Sequence, residues 1–457
     1  MRLACRLAFL GLAASVAHCN NSTPPPPEPQ TPSPSSSTGS ASETVQTTPP
    51  ANASAMPPTD PTPGTHDPAP AATGDALARL AKDSNAFGFD LYQRVRAQKG
   101  NLVVSPASIT TALSMAWGGA KGDTADQMKK ALHFDGTQTE VMQAAGKLSS
   151  SLTDPSRPIK FRIANRLFGE KTYKFEPAYL ETTKVNYGAP LEAVDFIKGF
   201  EPARARINGW VEDQTEKRIK NLIPPNALTK DTRLVLVNAI YFLGDWQSPF
   251  DKESTKPGPF QLTATSKKDV PTMHNELHVR YAEQNGVKAV ELPYKGNNMS
   301  MLVVVPDKVD GLEPVEKSLD NAKLDGLVSA LKSETVNVSL PKFEINPAES
   351  LSLGDRLKEM GMVLAFDRTR ADFTGMANPP SPEDRLYISK VFHKAFIRVD
   401  EKGTEAAAAT ATVMMRATSM PLKVVSFKAD HPFLFFIRDN ATGMILFSGR
   451  VADPSAK

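Results

Sequence analysis

From Leu77 to Gln98 the large apolar side chains recur every three to four residues, with Phe87, Leu91 and Val95 on one face, and this spacing predicts an amphipathic helix. A second helix is expected after Pro106, which suits a first turn, with Ile109, Leu113 and Ala116 at core spacing. A third is read in "ADQMKKAL", with Thr124 and Gln127 as a capping box. A fourth covers "ARARINGWVEDQTEKRIKNLI", whose Ile207, Trp210, Val211, Ile219 and Leu222 run up to the stop at Pro224 and Pro225. Beyond it strands dominate. "RLVLVNAIYF", "KAVELPY", "SMLVVVP", "TVNVSLPKFEI" and "LYISKVFHKAFIRV" are β-branched or aromatic runs bounded by turn residues. "PFLFFIRDNATGMILFSGRV" predicts a hairpin with Asp439 to Gly443 as its loop. Helices early and strands late within one body give an α+β fold class.

Composition divides the 457 residues into three parts. Residues 1–19 combine Arg2 and Arg6 with an apolar run from Leu7 to Ala17 that is too short to span a bilayer, the pattern of an export signal. Two processing outcomes stay open: cleavage after Ala17, or lipidation of Cys19 as in bacterial lipoproteins, which would hold the chain at the envelope. His18 departs from the small residue expected before a lipidated cysteine. From residue 20 to 73 Pro, Ser, Thr and Ala dominate, and such a stretch buries too little apolar surface to offset the entropy of ordering. It reads as a tether, with a globular body over 75–457 and a secreted or extracellular location. Membrane attachment is expected only through that lipid.

The chemistry available to the body is limited. The two cysteines of the whole sequence, Cys5 and Cys19, both lie in the export segment, which removes disulfides, a thiol nucleophile and zinc–thiolate sites from the body. A formal charge of +3 spread along the chain gives no stripe for nucleic acid. No G-x-S-x-G elbow and no H-E-x-x-H occurs, and "GGAKGDT" lacks P-loop spacing, so hydrolase, metalloprotease and nucleotide-binding readings are set aside. No metal and no cofactor is expected.

"EKGTEAAAATATVMMRATSMP", residues 401–421, stands apart between two strand-like runs. Its alanines favour a helix or a linker on propensity alone. Its surroundings decide otherwise. "NLVVSPASITTALSMAWGGAKGDTADQM", "INGWVEDQTEKRIKNLI", "LVNAIYFLGDWQSPF", "ELPYKGNNMSMLVVVP", "VSLPKFEI", "FHKAFIRVDEKGTEAAAA" and "FKADHPFLFFIRDNATGMILFSGRVADP" follow one another in the order found in serpins, and from about residue 75 to Pro454 the chain resembles that family. The resemblance implies the serpin fold, with a large five-stranded central sheet, further sheets, surrounding helices and an exposed reactive loop at 401–421. It implies no catalytic residue.

The same resemblance assigns roles. Glu401, Gly403, Thr404, Glu405, Ala406, Ala407, Ala408 and Ala409 match the hinge that enters the sheet as an extra strand after the loop is cut. In such a strand Thr404, Ala406 and Ala408 would face inward, all small, while Glu405, Ala407 and Ala409 face outward, and no proline interrupts the ladder. Ser105, Ser108, Asn238 and His393 match the polar cluster beneath the sheet opening, Lys342 the cationic partner of Glu401, and Trp246 a side chain beside them. Read without the resemblance, His393 is an ordinary core histidine and Trp246 plain core. Counting along the family pattern from Gly403, the bond offered to a protease falls at Ala417–Thr418, with Arg416–Ala417 as the alternative. Ala417 would suit an elastase-like or subtilisin-like pocket, Arg416 a trypsin-like one, and Met414 or Met415 a chymotrypsin-like one. A target serine protease is the implied partner of a monomeric inhibitor. A non-inhibitory serpin acting as a binding or chaperone module is the rival, disfavoured by the small hinge residues.

Overall fold

The computed structural model describes residues 74–188, 191–404 and 424–456. Cys19, the tether, Glu405, Ala406, Ala407, Ala408, Ala409, Met414, Met415, Arg416, Ala417 and Thr418 lie outside the described residues. The chain opens with α1 (Gly74–Val95), β1 (Leu102–Val104), α2 (Pro106–Gly118), α3 (Gly122–Ala131) and α4 (Gln138–Leu152). Then come β2 (Lys160–Glu170), α5 (Pro177–Tyr187), β3 (Glu192–Val194) and α6 (Phe196–Gln214). Strands follow: β4 (Leu234–Asp245), β5 (Lys256–Gln261), β6 (Lys267–Gln284), β7 (Val287–Pro293) and β8 (Met299–Pro306). After α7 (Leu312–Ser318) and α8 (Asn321–Ala330) the chain forms β9 (Lys332–Pro341), β10 (Phe343–Ile345), β11 (Leu351–Ser352) and α9 (Gly354–Glu359). It ends with β12 (Lys390–Val399), β13 (Gly403–Thr404), β14 (Val425–Lys428), β15 (Phe433–Asp439) and β16 (Ile445–Val451). The fold is α+β. Among the described residues no helix is long and apolar enough to cross a membrane.

Two sequence expectations need correction. The fourth helix stops at Gln214 rather than at Pro224, because Glu216 and Lys217 take positive φ (50° and 61°) and the Thr215 hydroxyl turns back to Val211 O at 2.8 Å. Ile219 and Leu222 are still buried, outside the helix, and Asn208 holds their segment by accepting from Ile223 N–H (2.8 Å) and donating to Ile223 O (2.9 Å). The capping box at Thr124 and Gln127 does not form either. The helix begins at Gly122, so Thr124 lies inside it and its hydroxyl accepts from Asp372 N–H, while Gln127 accepts from Leu364 N–H. The reciprocal box occurs instead at Thr137 and Glu140, heading α4.

The strands form two sheets. One runs β1-β16-β15-β8-β7-β6-β9-β14, with β5 also on β6; the other runs β10-β12-β13-β4-β2-β3, with β11 also on β12. In the second sheet β3, β2, β4, β12 and an outer strand broken into β10 and β11 supply the five expected strands. By strand number the first sheet is the larger, since the long β6 pairs with β5, β7 and β9 in turn. β4 is buried on both faces: Leu234, Leu236, Ile240 and Phe242 join the main core, while Val235 and Val237 join a smaller cluster under α6. The same alternation turns Asn238 toward the main core and α2. Replacing Asn208 with Ala should cost about 1–3 kcal/mol, because both backbone groups of Ile223 lose their partner in the interior; urea denaturation of Asn208→Ala checks it.

Candidate functional site

β4 and β12 run parallel, in register from Val235 opposite Lys390 to Tyr241 opposite Phe396. Asn238 and His393 are directly opposed in that seam, and both side chains are buried. The His393 Nε2 accepts from Ser105 N–H at 3.2 Å, so the ring proton sits on Nδ1 and is donated to Asn238 Oδ1. Ser105 is the N-cap of α2; its Oγ accepts from Ser108 N–H and donates to Leu446 O on β16 at 2.6 Å. Asn238 Nδ2 donates to Ser108 Oγ (2.7 Å) and to Asn165 Oδ1 (2.6 Å), and Asn165 Nδ2 returns a bond to Ser108 O (3.3 Å). Burial pulls the His393 pKa from the ordinary 6.5 down to about 3, which keeps the ring neutral.

Past Phe396 the two strands part and β13 lies between them, antiparallel to both: Thr404 stands opposite Val399 and Gly244, Gly403 opposite Asp245. Gly403 is there because of close approach. A Cβ at that position would fall 2.0 Å from Gly244 O. Thr404 is fully buried, and its Oγ1 shares a 2.7 Å hydrogen bond with the Tyr294 hydroxyl. Tyr294 stacks on Trp246, with ring centroids 4.6 Å apart and planes 13° from parallel. Trp246 in turn grips the turn before β13, donating from Nε1 to Asp400 O (3.0 Å) and from its backbone to Lys402 O (2.7 Å).

Glu401 anchors the same turn. Its carboxylate accepts from Lys342 Nζ (2.9 and 3.0 Å) and Thr255 Oγ1 (2.9 Å), with the Glu401 side chain 6% exposed and that of Lys342 37% exposed. Burial pushes this carboxyl upward, but the bonds from Lys342, the backbone and Thr255 outweigh it and hold the pKa below the ordinary value. Lys342 occupies the break between β9 and β10, where the chain crosses from one sheet to the other. The structure thus brings Ser105, Ser108, Asn238 and His393 into one cluster, and Lys342, Glu401, Gly403, Thr404 and Trp246 into another at the end of the seam. Asn165, Tyr294 and Thr255 belong to these clusters and were missed. In "RIANRLF", where Arg162 and Arg166 are also polar, no sequence pattern singles out Asn165.

A family profile described as Serpin (serine protease inhibitor) matches residues 82–454. The chain belongs to the serpin family. It is 40% identical over 388 residues to a leukocyte elastase inhibitor of Equus caballus, covering 83% of this chain and 100% of that relative. To Serpin B4 of Homo sapiens it is 41% identical over 395 residues, 82% and 99% of the two chains. The solved structure of Serpin48 from the insect Tenebrio molitor superposes with a TM-score of 0.72 at 34% identity, over 82% of this chain and 98% of that one. As a serpin the chain belongs to a family described as serine protease inhibitors, not as enzymes.

Two predictions follow from the electrostatics. His393 titrates lower folded than unfolded, so the stability it contributes is complete above about pH 6.5 and is lost as the pH falls toward 3. By pH 5 the loss attributable to it should reach about 2 kcal/mol, at roughly 1.4 kcal/mol per unit. Urea midpoints at pH 7.5 and 5 should show this slope in the wild type and not in His393→Gln. Replacing Lys342 with Ala leaves the Glu401 carboxylate without its cation and should cost about 1–3 kcal/mol, measured at pH 7. Because the Glu401 pKa is held low, that difference should shrink as the pH drops below its unfolded value near 4.5.

Proposed function

We propose that this serpin traps serine proteases covalently, using residues 401–421 as bait and 403 to about 416 as the strand that closes the trap. The protease serine Oγ adds to the Ala417 carbonyl carbon and gives its proton to the protease histidine. The Ala417–Thr418 bond then breaks, the Thr418 amine takes that proton, and an ester to Ala417 remains. Insertion of the freed strand between β4 and β12 then drags the acyl-protease along the sheet. Fourteen extended residues span about 46 Å, and a misplacement of only about 1 Å in the protease's catalytic groups already slows deacylation roughly a hundredfold.

The observation that most supports this reading is β13, a two-residue strand lying where such an insertion would begin. Each added residue would replace part of a parallel β4–β12 ladder with ladders antiparallel to both neighbours, the slightly more stable arrangement. His393, Asn238, Ser105 and Ser108 would hold the seam until then. The relatives named leukocyte elastase inhibitor favour the small Ala417 over Arg416 as the bait, and hence an elastase-like or subtilisin-like target. The same reading puts the chain outside the cell after export by residues 1–19, and the mass of the mature N-terminus decides between cleavage after Ala17 and lipidated Cys19.

Mixed separately with an elastase, a trypsin and a subtilisin, the chain should give a complex that survives denaturing gels, with mass spectrometry locating the cut after Ala417. Cleavage with full protease activity left and no complex would overturn trapping and leave a substrate-like, non-inhibitory serpin. Ala406→Arg should still be cut but lose at least about tenfold in complex yield, because in the inserted strand residue 406 would face inward and insertion would bury an unpaired charge at a cost of several kcal/mol.

A further inference from the structure

Thr124 and Gln127, the pair that does not form a capping box, border a cleft of about 440 Å³ that protease inhibition leaves unused. Asp123 of α3 lines it with them, as do Arg370, Asp372 and Arg385 from the stretch between α9 and β12. Small-molecule sites have about this volume, roughly 300–1,000 Å³, but most are apolar. Here Leu364 supplies the one apolar side chain, so an occupant has to be polar. The walls are already joined: Thr124 accepts from Asp372 N–H (3.0 Å), Gln127 accepts from Leu364 N–H (2.8 Å), and Lys121 N–H donates to Asp372 O (2.9 Å).

Four charges remain available in this cleft. Among the described residues Asp123 and Arg385 make no ion pair and no side-chain hydrogen bond. Arg385 is half-buried, so its guanidinium has given up water without gaining a partner. Arg370 pairs through Nε with Asp367 at 2.7 Å, which leaves its two terminal nitrogens. Asp372 accepts from Thr374 N–H (3.0 Å) and from the Thr374 hydroxyl (2.7 Å) through Oδ1, which leaves Oδ2. Neither aspartate pairs with either arginine, so two positive and two negative groups line one cleft without meeting.

That arrangement selects its ligand. A simple anion would gain two guanidiniums and be repelled by two carboxylates, and a simple cation would meet the reverse. A molecule that carries both charges, set apart from each other, gains on both sides. We propose that the cleft binds a small zwitterion whose carboxylate and ammonium are several bonds apart, an ω-amino acid or a dipeptide. Its carboxylate lies on Arg385 and Arg370, whose forked donors suit two oxygens at once, and its ammonium lies on Asp123 and Asp372. The bound molecule ties α3 to the stretch that leads into β12, whether or not the chain traps proteases.

Isothermal titration of the full chain at constant ionic strength tests this, with 4-aminobutyrate and glycylglycine as zwitterions and butyrate, butylamine and inorganic phosphate as probes of a single sign. One zwitterion should bind saturably and at least about tenfold more tightly than any single-sign probe, and the tighter of the two tells an ω-amino acid from a dipeptide. Arg385→Gln should weaken that zwitterion about tenfold and leave butylamine as it was. Asp123→Asn should weaken it by a similar factor and leave butyrate as it was, each variant losing about one charge-assisted hydrogen bond. Asp123 is exposed and Arg385 unpaired, so neither substitution removes a side-chain bond that the fold uses, and the mirrored split is not one that a loosened fold would give. Phosphate or butylamine bound more tightly than both zwitterions would overturn the proposal in favour of a site for one sign of charge. An equal response to all five probes, or zwitterion binding that survives both substitutions, would overturn it in favour of a solvated charged surface.

Discussion

The parallel seam between β4 and β12 is the constraint on which the rest of the arrangement depends, and its centre is held by a neutral pair. A buried ion pair there would leave an uncompensated charge on opening, at a cost of about 3–5 kcal/mol. Histidine opposite asparagine avoids that. With its ring kept neutral by burial, His393 would give up one hydrogen bond if the seam parted and could retain Ser105 N–H, while Asn238 could retain Ser108 and Asn165. The net loss is then of the order of one hydrogen bond, about 1 kcal/mol. Such a latch would be firm enough to define a closed sheet and weak enough to release.

Its partners reach both layers of the molecule. Ser105 caps α2, touches His393 of one sheet and donates to Leu446 in a strand of the other, so the capping residue serves as a fixed post against which the seam closes. At the far end the constraints are steric and charged instead. Gly403 lies against the β4 backbone, Thr404 is held by Tyr294, and the turn before them is tied down by Trp246 and the Lys342–Glu401 pair. These contacts fix the chain from Asp400 to Thr404 against the body.

The α+β class and most strands were legible because a strand buried on both faces, such as β4, reads as a continuous β-branched and aromatic run bounded by turn residues. What failed was local. The helix through residue 223 read as continuous because Ile219 and Leu222 keep a helical spacing by chance, although positive φ at Glu216 and Lys217 had already ended it. The capping box at Thr124 lost to tertiary demand, since both of its side chains are used by backbone donors some 240 residues away. "TQTE" at residue 137 carried the same signature and formed the box. In the site, the resemblance supplied residues that stand in family motifs. Asn165 lies outside the quoted family segments and Tyr294 lies within one that assigned it no role, and the register of β2 with β4 and the Trp246 stack reveal what they touch.

Latch and seated strand together give the seam a direction. β13 already separates the strands at one end, while His393 and Asn238 close them near the middle of the paired stretch. Growth of the inserted strand from Thr404 would therefore meet the pairs Phe396–Tyr241, Ala395–Ile240 and Lys394–Ala239 before it reached the latch. Each would be exchanged as soon as it broke, with little free energy stored in between. Opening from the other end would expose unpaired backbone groups before any new strand arrived, at about 1–3 kcal/mol for each group left unsatisfied. On the insertion reading, the low-barrier route would be the one that begins at the hinge, with the loop's own backbone as the part that opens the sheet.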